Sequence, residues 1–68
     1  MSLAKVIEVI GEGDTMEGAV QNVATEASKT VDNIKSIYCE SIQAIVENNS
    51  VTKYRVNAKV TFVVGKKG

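Results

Sequence analysis

The residues whose types could do chemistry lie mainly on two predicted strands. Arg55 lies mid-strand with Lys53 and Lys59 close by, and such cationic groups bind carboxylates or phosphates. Glu40 and Glu47 lie on the other strand, where one carboxylate from each copy of a symmetric assembly would form a ring suited to Ca²⁺ or Mg²⁺. The simpler interpretation of each residue is a solvated or salt-bridged side chain.

Catalytic chemistry has no support in this sequence. Cys39 is the single cysteine and the chain has no histidine to activate it, so a small buried hydrophobe is the better interpretation. Gly11, Gly13 and Gly18 miss the spacing of a dinucleotide-binding turn and indicate an ordinary turn. The carboxylates do not follow the spacing of a calcium-binding helix-loop-helix. We therefore predict a protein that is not an enzyme.

Length and charge exclude several classes of function. The 68 residues are enough for one domain, residues 1–68, whose own core gives marginal stability. Eight basic residues balance eight acidic ones, so no net field would hold nucleic acid or an anionic membrane. No apolar run approaches the length of a membrane span, and the amino terminus lacks the regions of a signal peptide. We expect a cytoplasmic protein.

Hydrophobic periodicity predicts the elements that position these residues, in the order strand, helix, strand, strand. The predicted ranges are Ala4–Ile10 for the first strand, Met16–Val31 for the helix, Ile34–Glu47 for the second strand and Val51–Val64 for the third. Glycines and Asp14 between residues 11 and 14 break the first strand, and Asp14 or Thr15 caps the helix. Asn33 ends the helix, Asn48-Asn49-Ser50 forms a hairpin turn, and Gly65–Gly68 is a solvated tail.

These elements predict an α+β subunit with a three-stranded antiparallel sheet wrapped on one helix. A helical crossover makes the first two strands parallel in direction, and the hairpin reverses the third. The third strand has the cleanest alternation, with Tyr54, Val56, Ala58, Val60 and Phe62 on one face. We therefore place it between the other two, with Arg55 on the face away from the helix.

The second strand has a mixed pattern. Strict alternation puts Ile37, Cys39 and Ile45 on one face with Lys35, Ser41 and Gln43, and puts Ser36, Tyr38, Glu40, Ile42, Ala44 and Val46 on the other. Neither face is uniformly polar, as expected if neighbouring subunits bury part of each. The lengths of the elements lead to the same expectation, because the third strand spans roughly 45 Å and the helix only roughly 24 Å. One helix cannot cover that sheet, so the sequence predicts an assembly.

The chain resembles the dodecin family over nearly its whole length. The matching stretches are Lys5-Val-Ile-Glu-Val-Ile-Gly11 in the first strand, Thr15-Met-Glu at the helix start, Ser28-Lys-Thr-Val-Asp-Asn33 at the helix end and Tyr54-Arg-Val-Asn-Ala-Lys-Val-Thr-Phe62 in the last strand. The resemblance implies strand-helix-strand-strand subunits that form a hollow homododecamer and bind flavins in pairs. It thus implies a storage or binding protein whose partners are further copies of itself and a small molecule.

The sequence departs from the family at its flavin site. The tryptophan that stacks on the flavin in flavin-binding dodecins falls on Ser36, and the flavin-contacting glutamine falls on Arg55; the chain has no tryptophan. The resemblance implies a site for riboflavin, FMN or FAD that is lined by Ser36, Tyr38 and Arg55, with Lys35 beside them. Tyr38 lies about 7 Å along the strand from the tryptophan position. The pattern also resembles a tryptophan-less branch for which calcium has been suggested.

Two roles for Arg55 remain open at this point. It could pair with a carboxylate such as Glu40 across a subunit interface, or it could offer a cationic pocket to an anionic ligand such as a phosphorylated flavin. Two functions remain open with them. The first is a small-molecule binder with an altered flavin site, and the second is an ion-binding or purely structural shell.

Overall fold

Three strands and one helix follow the predicted order. The computed structural model describes residues 3–64, so the predicted tail Gly65–Gly68 lies outside the described residues. The elements are β1 (Leu3–Gly13), α1 (Met16–Ala27), β2 (Ile34–Glu47) and β3 (Ser50–Val64). Among the described residues, no helix has the length and hydropathy of a membrane-spanning segment.

The sheet has the order β1-β3-β2 with every neighbouring pair antiparallel, which confirms the predicted topology. The central strand β3 alternates because one of its faces lies under the helix: Val56, Ala58, Val60 and Phe62 are buried there. Val56, Ala58 and Val60 pack with Ala19, Val23 and Ala27 of α1 to form the core. We call this side the helix face and the opposite side of the sheet the open face.

The predicted break after Ile10 is wrong, because β1 continues to Gly13. A Cβ atom on Gly11 would lie 2.6 Å from Cγ2 of Val23 and 2.7 Å from the carbonyl oxygen of Ala19. Asn22 on α1 donates a hydrogen bond of 2.6 Å to the carbonyl oxygen of Glu12. A Cβ on Gly13 would likewise lie 2.6 Å from the backbone nitrogen of Ala19. Gly11 and Gly13 therefore let the helix approach the strand closely, which is a packing role rather than a turn.

The helix is shorter than predicted. Thr15 is its N-cap and its hydroxyl accepts a hydrogen bond from the backbone N–H of Gly18, so Thr15 rather than Asp14 caps it. The regular helix ends at Ala27 instead of Val31. The hydroxyl groups of Ser28 and Thr30 donate to carbonyl oxygens in the last turn, and such local bonds compete with continuation of a helix.

Asparagines occupy the backbone positions that disfavour most side chains. Asn33 has φ 59° after the helix, and Asn48 and Asn49 have φ 52° and 65° between β2 and β3. Two successive residues with positive φ in a two-residue loop form the turn that matches the twist of a hairpin. Asn33 has the predicted left-handed conformation but does not end the helix, which stops at Ala27 with Ser28 as its C-cap. The turn at Asn48-Asn49 is confirmed, but the third predicted turn residue, Ser50, begins β3.

Bulges explain the mixed pattern of β2. The register with β3 shifts between Ile34 and Ser36, between Cys39 and Ser41, and between Ile45 and Val46. The extra residue at Glu40 reverses the alternation, because two residues on the bulged strand then oppose one on the partner. Ile42 and Ala44 pair with Val56 and Tyr54 and so lie on the helix face with Ile37 and Cys39. Strict alternation predicted the opposite face for both, and that prediction was wrong.

Candidate functional site

Two groups of ion pairs lie on the open face of the sheet. The first consists of Lys53, Glu12 and Arg55, which we call the cationic cluster. Lys53 Nζ lies 3.0 Å from Glu12 Oε1, and Arg55 Nε donates to Glu12 Oε2 at 2.8 Å. The second is the pair of Lys59 and Glu40, whose Nζ and Oε2 atoms are 3.3 Å apart. All five side chains are half-exposed.

The sheet register builds the cationic cluster. Glu12 on β1 is the direct Cα partner of Arg55 on β3, and directly opposed side chains of opposite charge attract each other across a strand pair. Lys53 precedes Arg55 by two residues, so strand alternation places it on the same face. One carboxylate is thus shared by two cations, and the cluster has a net formal charge of about +1.

The two cations change the ionisation of Glu12. Hydrogen bonds from Lys53, and then from Arg55, hold the pKa of the Glu12 carboxyl below its ordinary value of 4.5, against a smaller opposing effect of burial. Both cations stabilise the ionised form, which fixes the direction of the shift. A carboxylate with a lowered folded-state pKa stabilises the folded protein at neutral pH.

This shift predicts how the variant Glu12→Gln responds to pH. The ion pairs of Glu12 stabilise the fold fully above its unfolded pKa, near 4.5, and this contribution is lost as pH falls through the lower folded pKa. We expect Glu12→Gln to melt below the wild type at pH 7 and the two melting curves to converge in acid. Melting temperatures measured from pH 7 to pH 2 check this, and a difference independent of pH would contradict it.

The pairing of Arg55 with Glu40, predicted across a subunit interface, is not formed within one chain. Within the chain, Glu40 pairs with Lys59 and Arg55 pairs with Glu12. Glu8 on β1 is the Cα partner of Lys59, so that group holds two carboxylates and one ammonium. An open cavity of about 220 Å³ next to it is lined by Glu8, Val9, Ile10, Glu40, Asn57 and Ala58.

The predicted metal ligands do not meet within one chain. Glu47 is exposed at the hairpin end of β2, opposite Ser50, seven residues along the strand from Glu40. Within residues 3–64, no three His, Cys, Asp or Glu side chains converge on a point that would hold a metal ion. A carboxylate ring contributed by several copies therefore stays a prediction.

The predicted flavin-site residues are spread along the open face. Ser36 is opposite Thr61 and Tyr38 is opposite Lys59, so both share the open face with Arg55, and Tyr38 is 66% exposed. Lys35 is the extra residue at the first bulge and is exposed. Arg55 lies four residues from Lys59 on β3, which is about 13 Å along the strand. A ligand that touches both Tyr38 and Arg55 must therefore span several strand positions or use more than one chain.

Sequence reasoning missed the role of Glu12 because the surrounding glycines indicated a turn. A longer first strand, antiparallel to β3, would have brought an acidic residue opposite Arg55. The available signal was the alternation Glu8, Ile10, Glu12, which continues the open face of β1 through the glycines.

Comparisons with known proteins agree on one family and fold. The family model described as Dodecin matches residues 3–65. The crystal structure of the tt0972 protein from Thermus thermophilus is similar, with a TM-score of 0.88 at 22% identity over 98% of this chain and 100% of that chain. The dodecin from Streptomyces coelicolor has a TM-score of 0.87 at 25% identity, over 97% and 96% of the two chains.

A further relative by structure is the dodecin from Streptomyces davaonensis, with a TM-score of 0.88 at 18% identity over 96% of this chain and 97% of that chain. No curated protein shows significant sequence similarity to the chain. The low identities mean that the two structures at 18% and 22% support the fold and say nothing of site residues.

Proposed function

The chain belongs to the dodecin family, and we propose that it is a non-enzymatic binding or storage protein that works as a homododecamer with an altered flavin site. Family membership supports the class of function. The single observation that carries the altered site is the replacement of the expected aromatic platform by Ser36, in a chain that has no tryptophan.

The shape of the subunit supports assembly. A compact domain of 68 residues has a radius of gyration of about 11 Å, whereas that of this chain is 14.1 Å, with extents of 54 × 18 × 14 Å. A 12-residue helix covers about 18 Å of this length. The β2-β3 hairpin therefore extends beyond the helix, and other copies of the chain are the proposed cover.

Apolar side chains are exposed where that cover is needed. Ile42 on the helix face is 47% exposed although its strand partner Val56 is buried, and Val46 and Val51 near the hairpin turn are 55% and 52% exposed. An apolar groove of about 370 Å³ also runs between α1 and β2, lined by Met16, Glu17, Val20, Gln21, Ala24 and Ile37. Contiguous apolar surface of this kind is typical of subunit interfaces.

The proposed flavin site differs from the family pattern in two ways. Ser36 has no π system, and stacking of aromatic rings contributes about 0.5–1.5 kcal/mol beyond burial. Arg55 donates hydrogen bonds and accepts none, whereas the glutamine that it replaces does both. Tyr38 is exposed on the same face and is the one nearby aromatic group among residues 3–64 that could stack on a flavin from β2.

Titration with riboflavin, FMN and FAD tests the proposal. We expect protein of confirmed dodecameric size to quench flavin fluorescence saturably, with a strength set by Tyr38. We expect the variant Tyr38→Ser to fold and to lose the quenching, because Tyr38 is 66% exposed and lies outside the core; its oligomeric size is measured alongside. Absence of quenching in the wild type, at the correct size, would contradict flavin binding and favour the second function below.

The second function is a shell that binds ions or is purely structural, as proposed for the tryptophan-less pattern. The exposed apolar surface supports a shell in either case, and Glu40 and Glu47 would supply the carboxylates of a Ca²⁺ or Mg²⁺ site. Because Glu40 already pairs with Lys59, a cation must compete with an ammonium there. A melting temperature that rises with added Ca²⁺ would support this function, since metal that binds only the assembly stabilises it.

A further inference from the structure

We propose that the end of the β2-β3 hairpin of one copy docks into the apolar groove between α1 and β2 of the next copy, in a head-to-tail contact. The hairpin end comprises residues 45–53, with the Asn48-Asn49 turn at its tip. The inference rests on the proposed homododecamer and names two surfaces that meet in it. The partner is therefore a second copy of this chain.

The hairpin end lacks cover in its own subunit. The last pair between β1 and β3 is Gly13 with Tyr54. The helix begins near this level, since Met16 and Tyr54 line one pocket, and it runs back over β1. The ladder between β2 and β3 continues past Tyr54 to the pair of Glu47 and Ser50. A two-stranded ribbon of this kind is marginally stable in water by itself, so it needs another surface to pack against.

The hairpin end and the groove have complementary shapes. Val46 and Val51 are direct partners across the two strands, so both exposed side chains lie on one face of the hairpin end and form an apolar ridge. The groove is concave, with a volume of about 370 Å³, and Val20, Ala24 and Ile37 line it. A ridge fills such a groove, whereas two grooves placed face to face would enclose a void, which well-packed interfaces avoid.

The charges beside the two surfaces are also complementary. Asp14 and Glu17 lie at the start of the helix, beside the groove, and within residues 3–64 neither forms a salt bridge. The cationic cluster, with its net positive charge, begins at Lys53, two residues after Val51 on the β3 arm of the hairpin. Glu47 belongs to the β2 arm. The contact is therefore oriented with the β3 arm toward the acidic start of the helix, because opposite charges across an interface fix its register.

This contact makes each copy both a donor and an acceptor. The hairpin end and the groove are different parts of one chain, so the contact is heterologous rather than two-fold symmetric. Heterologous contacts generate a ring when the rotation between copies closes. In a closed shell, every hairpin end and every groove is then covered by a neighbour.

Cross-linking of paired cysteines tests the contact. In a Cys39→Ala background, the substitutions Ser50→Cys and Gln21→Cys place one thiol at the hairpin end and one beside the groove, both at exposed positions. We expect a short bismaleimide to join successive copies of this double variant, giving a ladder of covalent oligomers on a denaturing gel that ends at the size of one ring. In the matched control, Glu26→Cys replaces Gln21→Cys. Glu26 is exposed on the helix but does not line the groove, so we expect monomers.

Three results would overturn the proposal. They are absence of a ladder in the assembled double variant, an equal ladder in the control, and covalent dimers from either single cysteine variant, which would indicate a two-fold symmetric contact. If the double variant does not assemble, Val51→Asp decides in its place. Because Val51 is exposed, this variant should keep the circular dichroism of the wild type and sediment as a smaller species, and an unchanged size would contradict the contact.

Sedimentation of the wild type separates this inference from the function on which it rests. A monomeric wild type would overturn both the homododecamer and the contact. An assembled wild type whose size survives Val51→Asp, or whose double variant gives no ladder, would overturn the contact alone.

Discussion

Replacement of Gly11 by valine is expected to remove most of the stability of the fold. Any Cβ at this position lies 2.6 Å from Cγ2 of Val23 and 2.7 Å from the carbonyl oxygen of Ala19, and the second atom belongs to the helix backbone. Forcing a single extra carbon into a packed core costs about 1–3 kcal/mol. Valine adds two methyl groups to that carbon, while a 68-residue domain has only about 3–10 kcal/mol of total stability.

Valine also separates the effect of the helix contact from that of strand propensity, because its strand propensity is much higher than that of glycine. A destabilised Gly11→Val must therefore owe its instability to the helix contact and not to the strand. Urea unfolding followed by circular dichroism, at one fixed protein concentration, measures the effect. Gly18→Ala is the control, because its Cβ would meet one side-chain atom, the capping hydroxyl oxygen of Thr15 at 3.0 Å, and no core or backbone atom, so a much smaller loss of stability is expected. Equal stability of Gly11→Val and wild type would refute the close approach of α1 to β1.

The sequence predicts the fold well where one periodicity dominates. β3 alternates without interruption from Tyr54 to Phe62, and this alone predicts a strand buried on one face and hence central in the sheet. The predictions fail where two explanations compete for one residue. Glycine at residue 11 is equally typical of a turn and of a strand that another backbone approaches closely. Only the position of the helix decides between them.

The candidate site is harder to predict, because it depends on register across strands. Nothing near Arg55 in the chain indicates Glu12 as its partner, and the pairing exists because β1 continues past Gly11 in antiparallel register with β3. The bulge at Glu40 has a similar effect, since one extra residue moves Ile42 to the helix face. The alternation of Glu8, Ile10 and Glu12 is a local signal for the longer β1, but it does not give the register with β3, and no local pattern indicates the bulge at Glu40.

Restoring the aromatic platform should raise flavin affinity in the variant Ser36→Trp. Ser36 is exposed on the open face, opposite Thr61, so an indole ring fits there without displacing the core, and tryptophan is favoured in strands. Stacking of a planar heterocycle on an aromatic side chain contributes about 1–3 kcal/mol per ring. We therefore expect riboflavin to bind about 5- to 150-fold more tightly, with stronger fluorescence quenching.

Ser41→Trp is the matched control for this gain. Ser41 is also a serine of β2 on the open face, opposite Asn57, but it does not fall on the tryptophan position of the family. Riboflavin titrations of both variants, at confirmed oligomeric size, separate a specific platform from a general effect of added indole. A gain confined to Ser36→Trp would mean that the chain keeps the geometry of the family's flavin site and lacks only its stacking group. Equal affinities in the two variants would mean that the geometry itself has changed, and the proposed binding role would then have to rest on a ligand other than flavin.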